Sequence, residues 1–345
     1  MAVLRDELAR DPATDARFVA SRGPGHVALS PLFMIGLCLR MAFERLFGRV
    51  DVVHINLASR GSSYRKMVIA TCARLLGIPY VLHLHGAEYR EFWDALSPTI
   101  SRRVTRMFED AAHVIVLGRV WRDFIVNRVP AVGSRISVVP NATGVPALPH
   151  VGGGDKVHVL FLGRIGDRKG VPQLGAALLR MKSLPGWRAT IAGDGAVEAA
   201  RERAAELGLS DRVVIPGWAG PEDVAALLAH SDVLVLPSFA ENLPVSIIEG
   251  MAAGLAIVAT PVGAVEDIVT DEETGLLVQP GDVDALTNAL TRLVVDEPLR
   301  TRLGKAAMAV HRERLNVPHF AASIGNIWRA AAKSRKQVAV AENGQ

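Results

Sequence analysis

Residues 233–260 read VLVLPSFAENLPVSIIEGMAAGLAIVAT. Val233–Leu236 is an apolar run of strand length, bounded by Pro237 and Ser238. Beyond a short loop, Val245–Ala253 has helical composition and stops at Gly254, the residue type that most readily ends a helix. Residues 255–259 are a second apolar run. The pattern is strand, loop, helix, strand. It puts Glu241 in the loop behind a strand and Glu249 in the following helix, with seven residues between them. In open α/β sheets, ligands sit outside the carboxyl ends of the strands. A carboxylate offers about four lone-pair sites, which suits the paired hydroxyls of a sugar or a ribose. The plainer reading is a solvated loop glutamate and a helix-surface glutamate. Against it, the neighbours of Glu249 are apolar or small (Ile247, Ile248, Gly250, Met251, Ala252 and Ala253), and a carboxylate there needs a partner.

The rest of the chain bounds the answer. It has 345 residues, enough for two domains of ordinary size, and half of them are hydrophobic. Aromatics are only 5%, so Ala, Val, Leu and Gly carry the core, as buried parallel strands require. Cys38 and Cys72 are the two cysteines. They have no metal-binding spacing and form no disulfide framework, which points to a reducing cytoplasm. The apolar stretch at residues 29–38 is too short to span a bilayer and too far in for a signal peptide. Charge is uneven: residues 1–145 hold 19 Lys and Arg against 12 Asp and Glu, whereas the whole chain holds 39 against 35. A basic first half attracts anionic lipid, a phosphorylated substrate or nucleic acid. No nucleic-acid motif accompanies it, which leaves an anionic membrane surface, a phosphate-bearing acceptor or an ordinary solvated surface.

Glu241 and Glu249, followed by Gly250-Met251-Ala252-Ala253-Gly254, resemble the E-x7-E signature of family 4 glycosyltransferases. The resemblance continues through Ala259-Thr260-Pro261-Val262-Gly263-Ala264 and Glu273-Thr274-Gly275-Leu276-Leu277-Val278, and covers residues 50–328. It implies an α/β chain with the GT-B fold, two Rossmann-like domains facing a cleft. The expected boundaries are 1–145 for an acceptor-side domain, joined by a crossing helix at 318–333, and 146–317 for a nucleotide-sugar-binding domain. Residues 334–345 are expected to be a disordered tail. The implied activity is retaining transfer of a sugar from a nucleotide-sugar to a glycan or lipid-linked acceptor, in cell-surface polysaccharide synthesis, at the inner face of the membrane. Neither metal nor cofactor is expected, and no nucleic acid. Rival readings are a silent remnant that binds a nucleotide or a partner protein, and a sugar-nucleotide epimerase.

In chain order, Met1 to Arg10 fits only the tail of a helix, and Phe18-Val19-Ala20 reads as a short strand. The family's first domain opens with a strand and a glycine-rich loop that have no match here. The expectation is that this piece is missing, either by a start downstream of it or by its loss from the gene. Ser30–Leu46 has apolar residues at helical spacing. Residues 51–55 are a strand, and the loop after it, Ala58-Ser59-Arg60-Gly61-Ser62-Ser63-Tyr64-Arg65-Lys66, is basic and leads into a helix. Backbone N–H groups at a helix start favour anions, which makes Arg60 and Ser62 acceptor-side candidates. Capping by Ser62 or Ser63 is the alternative.

Tyr80–Leu84 is the next strand and runs into His85-Gly86. Alternation puts His83 and His85 on one face; no third metal ligand is visible. The resemblance places His85 near the transferred sugar and the acceptor. Residues 103–113 read as a helix, and residues 114–117 and 136–139 as further strands.

The second domain starts at the strand Val157–Leu162, followed by Gly163-Arg164-Ile165-Gly166-Asp167-Arg168-Lys169-Gly170 and a helix entered through Pro172. Phe161 stands where a dinucleotide fingerprint needs its first glycine, and Gly193-Asp194-Gly195 lacks the third. By resemblance Gly163, Arg164 and Lys169 grip the donor diphosphate, Gly217 lies beside the base, and Glu249 takes the ribose. Glu241 with Asn242, Leu243 and Pro244 takes the sugar. Glu241, His85, Arg164 and Lys169 are the catalytic candidates. Asp282-Val283-Asp284 has the look of a metal motif but opens a helix after Pro280-Gly281, where capping is the better reading.

Overall fold

The computed structural model describes residue 7, residues 15–21 and residues 30–342, with residues 334–342 described by their backbone alone. The chain divides into two compact units, residues 1–140 with 317–345 and residues 141–316.

Unit 1 runs α1 (Ser30–Leu46), β1 (Val53–Leu57), α2 (Gly61–Leu75), β2 (Tyr80–Leu84), α3 (Tyr89–Asp94), α4 (Pro98–Glu109), β3 (His113–Val116), α5 (Arg119–Arg128) and β4 (Ile136–Val138). Its four strands pair in chain order, β1-β2-β3-β4, all parallel. Unit 2 runs β5 (Val157–Leu162), α6 (Val171–Arg180), β6 (Trp187–Ala192), α7 (Val197–Glu206), β7 (Val213–Gly217), α8 (Pro221–Ala229), β8 (Val233–Leu236), α9 (Val245–Ala253), β9 (Ala256–Ala259), β10 (Leu276–Leu277), α10 (Val283–Val295) and α11 (Glu297–Arg314). Its sheet is also parallel, in the order β10-β9-β8-β5-β6-β7. The last helix, α12 (Val317–Glu342), belongs to unit 1.

The sequence dictates this arrangement through burial. A parallel sheet is covered on both faces, so its strands cannot alternate polar and apolar residues. All four residues of β8 and of β9 are buried. Proline starts α8 at its first position and α6 and α11 at their second, where its missing N–H costs nothing. Asp282 caps α10, its carboxylate accepting from the Ala285 N–H at 2.8 Å. The Asp-Val-Asp run is thus a helix start.

One expectation fails. Residues 15–20 have no regular structure, and Phe18 and Val19 are exposed, so the short strand over Phe18-Val19-Ala20 is absent. A three-residue segment becomes a strand only when a ladder partner satisfies its backbone. α12 continues through residues 334–342 to Glu342. No glycine or proline interrupts residues 326–342, which are rich in Ala, Lys and Arg, all good helix formers. The helix tail expected over residues 1–10 falls outside the described residues, save Glu7, which is helical.

α12 is seated on the unit 1 sheet. Ile324 and Ala331 join Val81, Ile115 and Val139 in a buried cluster, flanked by Phe320, Ile327 and Trp328. One polar contact accompanies this packing: the Trp328 indole N–H donates to His54 Nδ1 at 2.9 Å. Removing a donor from a packed acceptor leaves that acceptor unsatisfied. Trp328→Phe is therefore expected to cost about 1–3 kcal/mol of stability. A denaturant melt of the two proteins measures it, and equal midpoints would refute the importance of this bond.

Candidate functional site

Strand order in unit 2 reverses between β5 and β8. From β5 the chain builds outward through β6 and β7, and from β8 outward through β9 and β10. Loops leaving two adjacent strands in opposite directions open a crevice at their carboxyl ends. The loops concerned are residues 163–170 after β5 and residues 237–244 after β8, the two segments that carry most of the donor-side candidates.

The structure joins them. Lys169 Nζ contacts Glu241 Oε1 in an ion pair in which the side chains are 13% and 8% exposed. Arg168 Nη1 donates to the Ala240 carbonyl at 2.9 Å, and the Phe239 N–H donates to the Arg168 carbonyl at 2.9 Å. Gly170 makes the approach possible. Its φ is +70°, and a Cβ there would lie 2.0 Å from the Pro237 carbonyl oxygen, so no side chain is tolerated. The far side of the Glu241–Pro244 loop is held by the Ala264 N–H donating to the Asn242 carbonyl at 2.7 Å. Asn141 Nδ2 donates to the Leu243 carbonyl at 2.9 Å.

Other candidates stand more openly. Arg164 is two-thirds exposed and only 3.6 Å from Asp194, an exposed pair that holds it weakly. Gly217 ends β7, where its carbonyl accepts from the Gly193 N–H at 2.8 Å. Trp218 beside it is exposed. The Arg201 guanidinium takes up the carbonyls of Ile215 and Pro216 at 2.9 and 3.2 Å. Glu249 is half-buried in α9, and burial pushes its carboxyl pKa up. Among the described residues its side chain makes no hydrogen bond or ion pair, so a hydroxyl donor would relieve it.

Unit 1 carries the remaining candidates. His85 follows β2 directly and extends its ladder, its N–H donating to the Leu57 carbonyl at 2.8 Å. Its Nε2 lies 3.2 Å from Asn56 Oδ1. Burial pushes the His85 pKa down to about 4, so the ring is neutral near pH 7. Gly86 packs against the loop after β1, where a Cβ would meet Ser59 N at 2.9 Å. That loop places Arg60 at φ +59° and ψ −130°, outside the regions comfortable for an L side chain. Arg60 pairs with Glu88 at 3.1 Å on the surface. Ser62 is the second residue of α2, and no side chain caps that helix; the Ser63 hydroxyl donates instead to the Ala58 carbonyl at 2.8 Å. The capping alternative thus fails; the Ser63 N–H goes to the Arg60 carbonyl at 2.9 Å, and the N–H groups of Gly61 and Ser62 stay available to another acceptor.

Sequence reasoning gave no role to Arg168, Asn56 or Asn141. Asn56 had a signal, an amide residue inside a strand, where such residues are depleted. Arg168 and Asn141 act on backbone carbonyls of a distant loop and leave no local pattern. Among the described residues, no group of three or more His, Cys, Asp or Glu is placed to hold a metal ion. No described helix is long and apolar enough to cross a membrane.

Residues 150–310 match the family described as glycosyl transferases group 1, and residues 4–143 match Glycosyltransferase Family 4. A phosphatidyl-myo-inositol mannosyltransferase of Mycobacterium leprae is 30% identical over 288 residues, covering 76% of each chain. A 2-deoxystreptamine N-acetyl-D-glucosaminyltransferase of Streptomyces fradiae is 28% identical over 334 residues, covering 88% of this chain and 76% of the relative. Among solved structures, Anabaena Alr3699/HepE in complex with UDP superposes with a TM-score of 0.73 at 20% identity, covering 88% of this chain and 84% of that one.

The two cations of the β5 loop are expected to differ in stability. Lys169→Met strands the buried Glu241 carboxylate and should cost roughly 3–5 kcal/mol. Arg164→Met should cost less than about 1 kcal/mol. Adding Glu241→Leu to Lys169→Met should recover part of the loss. Denaturant melts of the three proteins decide it; equal costs for both single changes would sink the distinction.

Proposed function

We propose, for a chain that belongs to family 4 of the glycosyltransferases, retaining transfer of a sugar from a nucleoside-diphosphate sugar to a glycan or lipid-linked acceptor. The observation that carries this reading is the Lys169–Glu241 pair at the strand-order reversal of unit 2, a cation and a carboxylate where the fold class binds ligands.

Each donor-side role follows from charge and geometry. The diphosphate draws Arg164 and Lys169, which stabilise the negative charge that grows on it as the bond to the sugar breaks. Glu249 accepts hydrogen bonds from the ribose hydroxyls. Glu241 does the same for the sugar, and the backbone of Asn242, Leu243 and Pro244, braced by Ala264 and Asn141, fixes its position. Gly217 lets the chain turn beside the base. Donation by ligand hydroxyls offsets the cost of holding Glu249 half-buried and charged. On unit 1, neutral His85 accepts a hydrogen bond from a hydroxyl of the sugar or the acceptor. The N–H groups at the start of α2, with Arg60 and Ser62, receive an acceptor phosphate. In the reaction the bond from the sugar carbon to the leaving phosphate oxygen breaks while the acceptor oxygen bonds to the same face. The acceptor proton passes to the leaving phosphate, so no protein nucleophile is required.

The lipid-linked acceptor reading has its own support in α1. Leu32, Ile35, Leu39, Phe43 and Leu46 recur at helical spacing and are all exposed, whereas Met34 and Met41 face inward. The helix also carries Arg40 and Arg45, in a half of the chain that is net basic. An apolar stripe with flanking cations suits the surface of an anionic bilayer. Such a stripe supports work at the inner face of a cytoplasmic membrane as part of this reading.

Two experiments test the reading. A thermal-shift titration with UDP, GDP and ADP should raise the midpoint with one of them, since a ligand that binds only the native state stabilises it by mass action. Arg164→Ala should lower turnover by about 10²–10³-fold with the melt unchanged. No shift with any nucleotide, or near-normal turnover, would overturn the donor site. Separately, the protein should sediment with phosphatidylglycerol vesicles but not phosphatidylcholine vesicles, and Leu39→Asp should weaken that. Equal binding by the variant would refute the membrane role of α1.

A further inference from the structure

β1 and β2 are parallel, with Asn56 opposite His83. Residues two apart on a strand share a face, so His54, Asn56, His83 and His85 stand in one row, on the face that α12 covers with Phe320 and Trp328. The rings touch in order. His54 lies 5.3 Å from His83, centroid to centroid, and His83 lies 4.0 Å from His85. Three imidazoles packed this closely resist protonation. Burial and then His85 push His54 down to about 4; burial, then His85 and His54, push His83 well below its usual value.

A neutral imidazole carries one N–H and one lone pair, and the hydrogen bonds decide which nitrogen has which. The Trp328 indole is a donor only, and it donates to His54 Nδ1. The proton of His54 is therefore on Nε2, 3.3 Å from His83 Nδ1. His83 then accepts on Nδ1 and carries its own proton on Nε2, a buried atom with no partner. His85 is set independently by Asn56, whose Oδ1 lies 3.2 Å from Nε2. A carbonyl oxygen cannot donate, so Nε2 of His85 bears the hydrogen and Nδ1 keeps the lone pair. Among the described residues the His85 side chain makes no other hydrogen bond.

We propose that Asn56 is a positioning residue, which locks His85 in the Nε2–H tautomer so that Nδ1 is a permanent acceptor for a sugar or acceptor hydroxyl. This rests on the reading of His85 as a substrate-binding group. Near neutral pH His85 is then a directional acceptor, and the hydroxyl that meets it must donate. Such a site selects a free hydroxyl over an alkylated or missing one, since only the former has the proton to give.

The test reads the tautomer and the kinetics separately. Long-range ¹H–¹⁵N correlation spectra of the uniformly labelled protein at pH 8.5, assigned with His85→Phe, should show His85 with a protonated Nε2 and a bare Nδ1. Asn56→Leu should turn that signal into a tautomer mixture and raise KM for the substrate whose hydroxyl is held, lowering kcat/KM about tenfold. Asn56→Asp, which keeps an accepting oxygen, should retain the Nε2–H form and most of kcat/KM. A protonated Nδ1 in the unaltered protein, or an unchanged tautomer in Asn56→Leu, overturns the lock. A tautomer that shifts as expected while kcat/KM stays unchanged overturns instead the substrate role of His85. A melt of Asn56→Leu that matches the unaltered protein separates these results from misfolding.

Discussion

The ion pair between Lys169 and Glu241 ties together the two loops that the unit 2 sheet sends in opposite directions. Each side chain is close to fully buried, so neither can be neutralised by water, and each is stable where it is because the other is there. Around this pair the surrounding contacts become intelligible. Gly170 must lack a side chain for the loops to meet, Arg168 closes on Ala240, and Ala264 and Asn141 brace the other edge of the Glu241–Pro244 loop. The loop is thus held on three sides before any ligand arrives. A site held in advance loses less conformational entropy on binding than one that must be assembled.

Unit 1 solves a different problem with uncharged groups. A row of three histidines under an apolar helix would be a liability if any of them had to carry charge. Burial keeps them neutral, and a single indole N–H from α12 orders the first two rings. The same neutrality turns His85 from a titrating base into a fixed hydrogen-bonding group. Unit 2 therefore presents paired formal charge, suited to a phosphorylated ligand, and unit 1 presents directional neutral acceptors, suited to hydroxyls.

Much of this was legible in residue order. The strands Tyr80–Leu84, Val157–Leu162 and Val233–Leu236 and the helices Ser30–Leu46 and Val245–Ala253 fall where periodicity and punctuation put them, because buried parallel strands leave short continuous apolar runs and glycine stops helices. The expected strand over Phe18-Val19-Ala20 failed, since a strand is a property of a pair. Composition favours helix through residue 342, and α12 runs that far.

The sequence by itself determined the fold class, the family and the loops in which charged candidates lie. Those depend on local pattern, which survives as spacing. Only the tertiary structure decided which candidates meet: Lys169 with Glu241 across 72 positions, Asn141 with Leu243 across 102, Trp328 with His54 across 274. It also decided that Arg164 is open while Lys169 is engaged, and which nitrogen of His85 holds its proton. Contacts between segments so far apart arise from strand order and helix docking, and the desolvation that makes them matter exists only once the chain has closed around them.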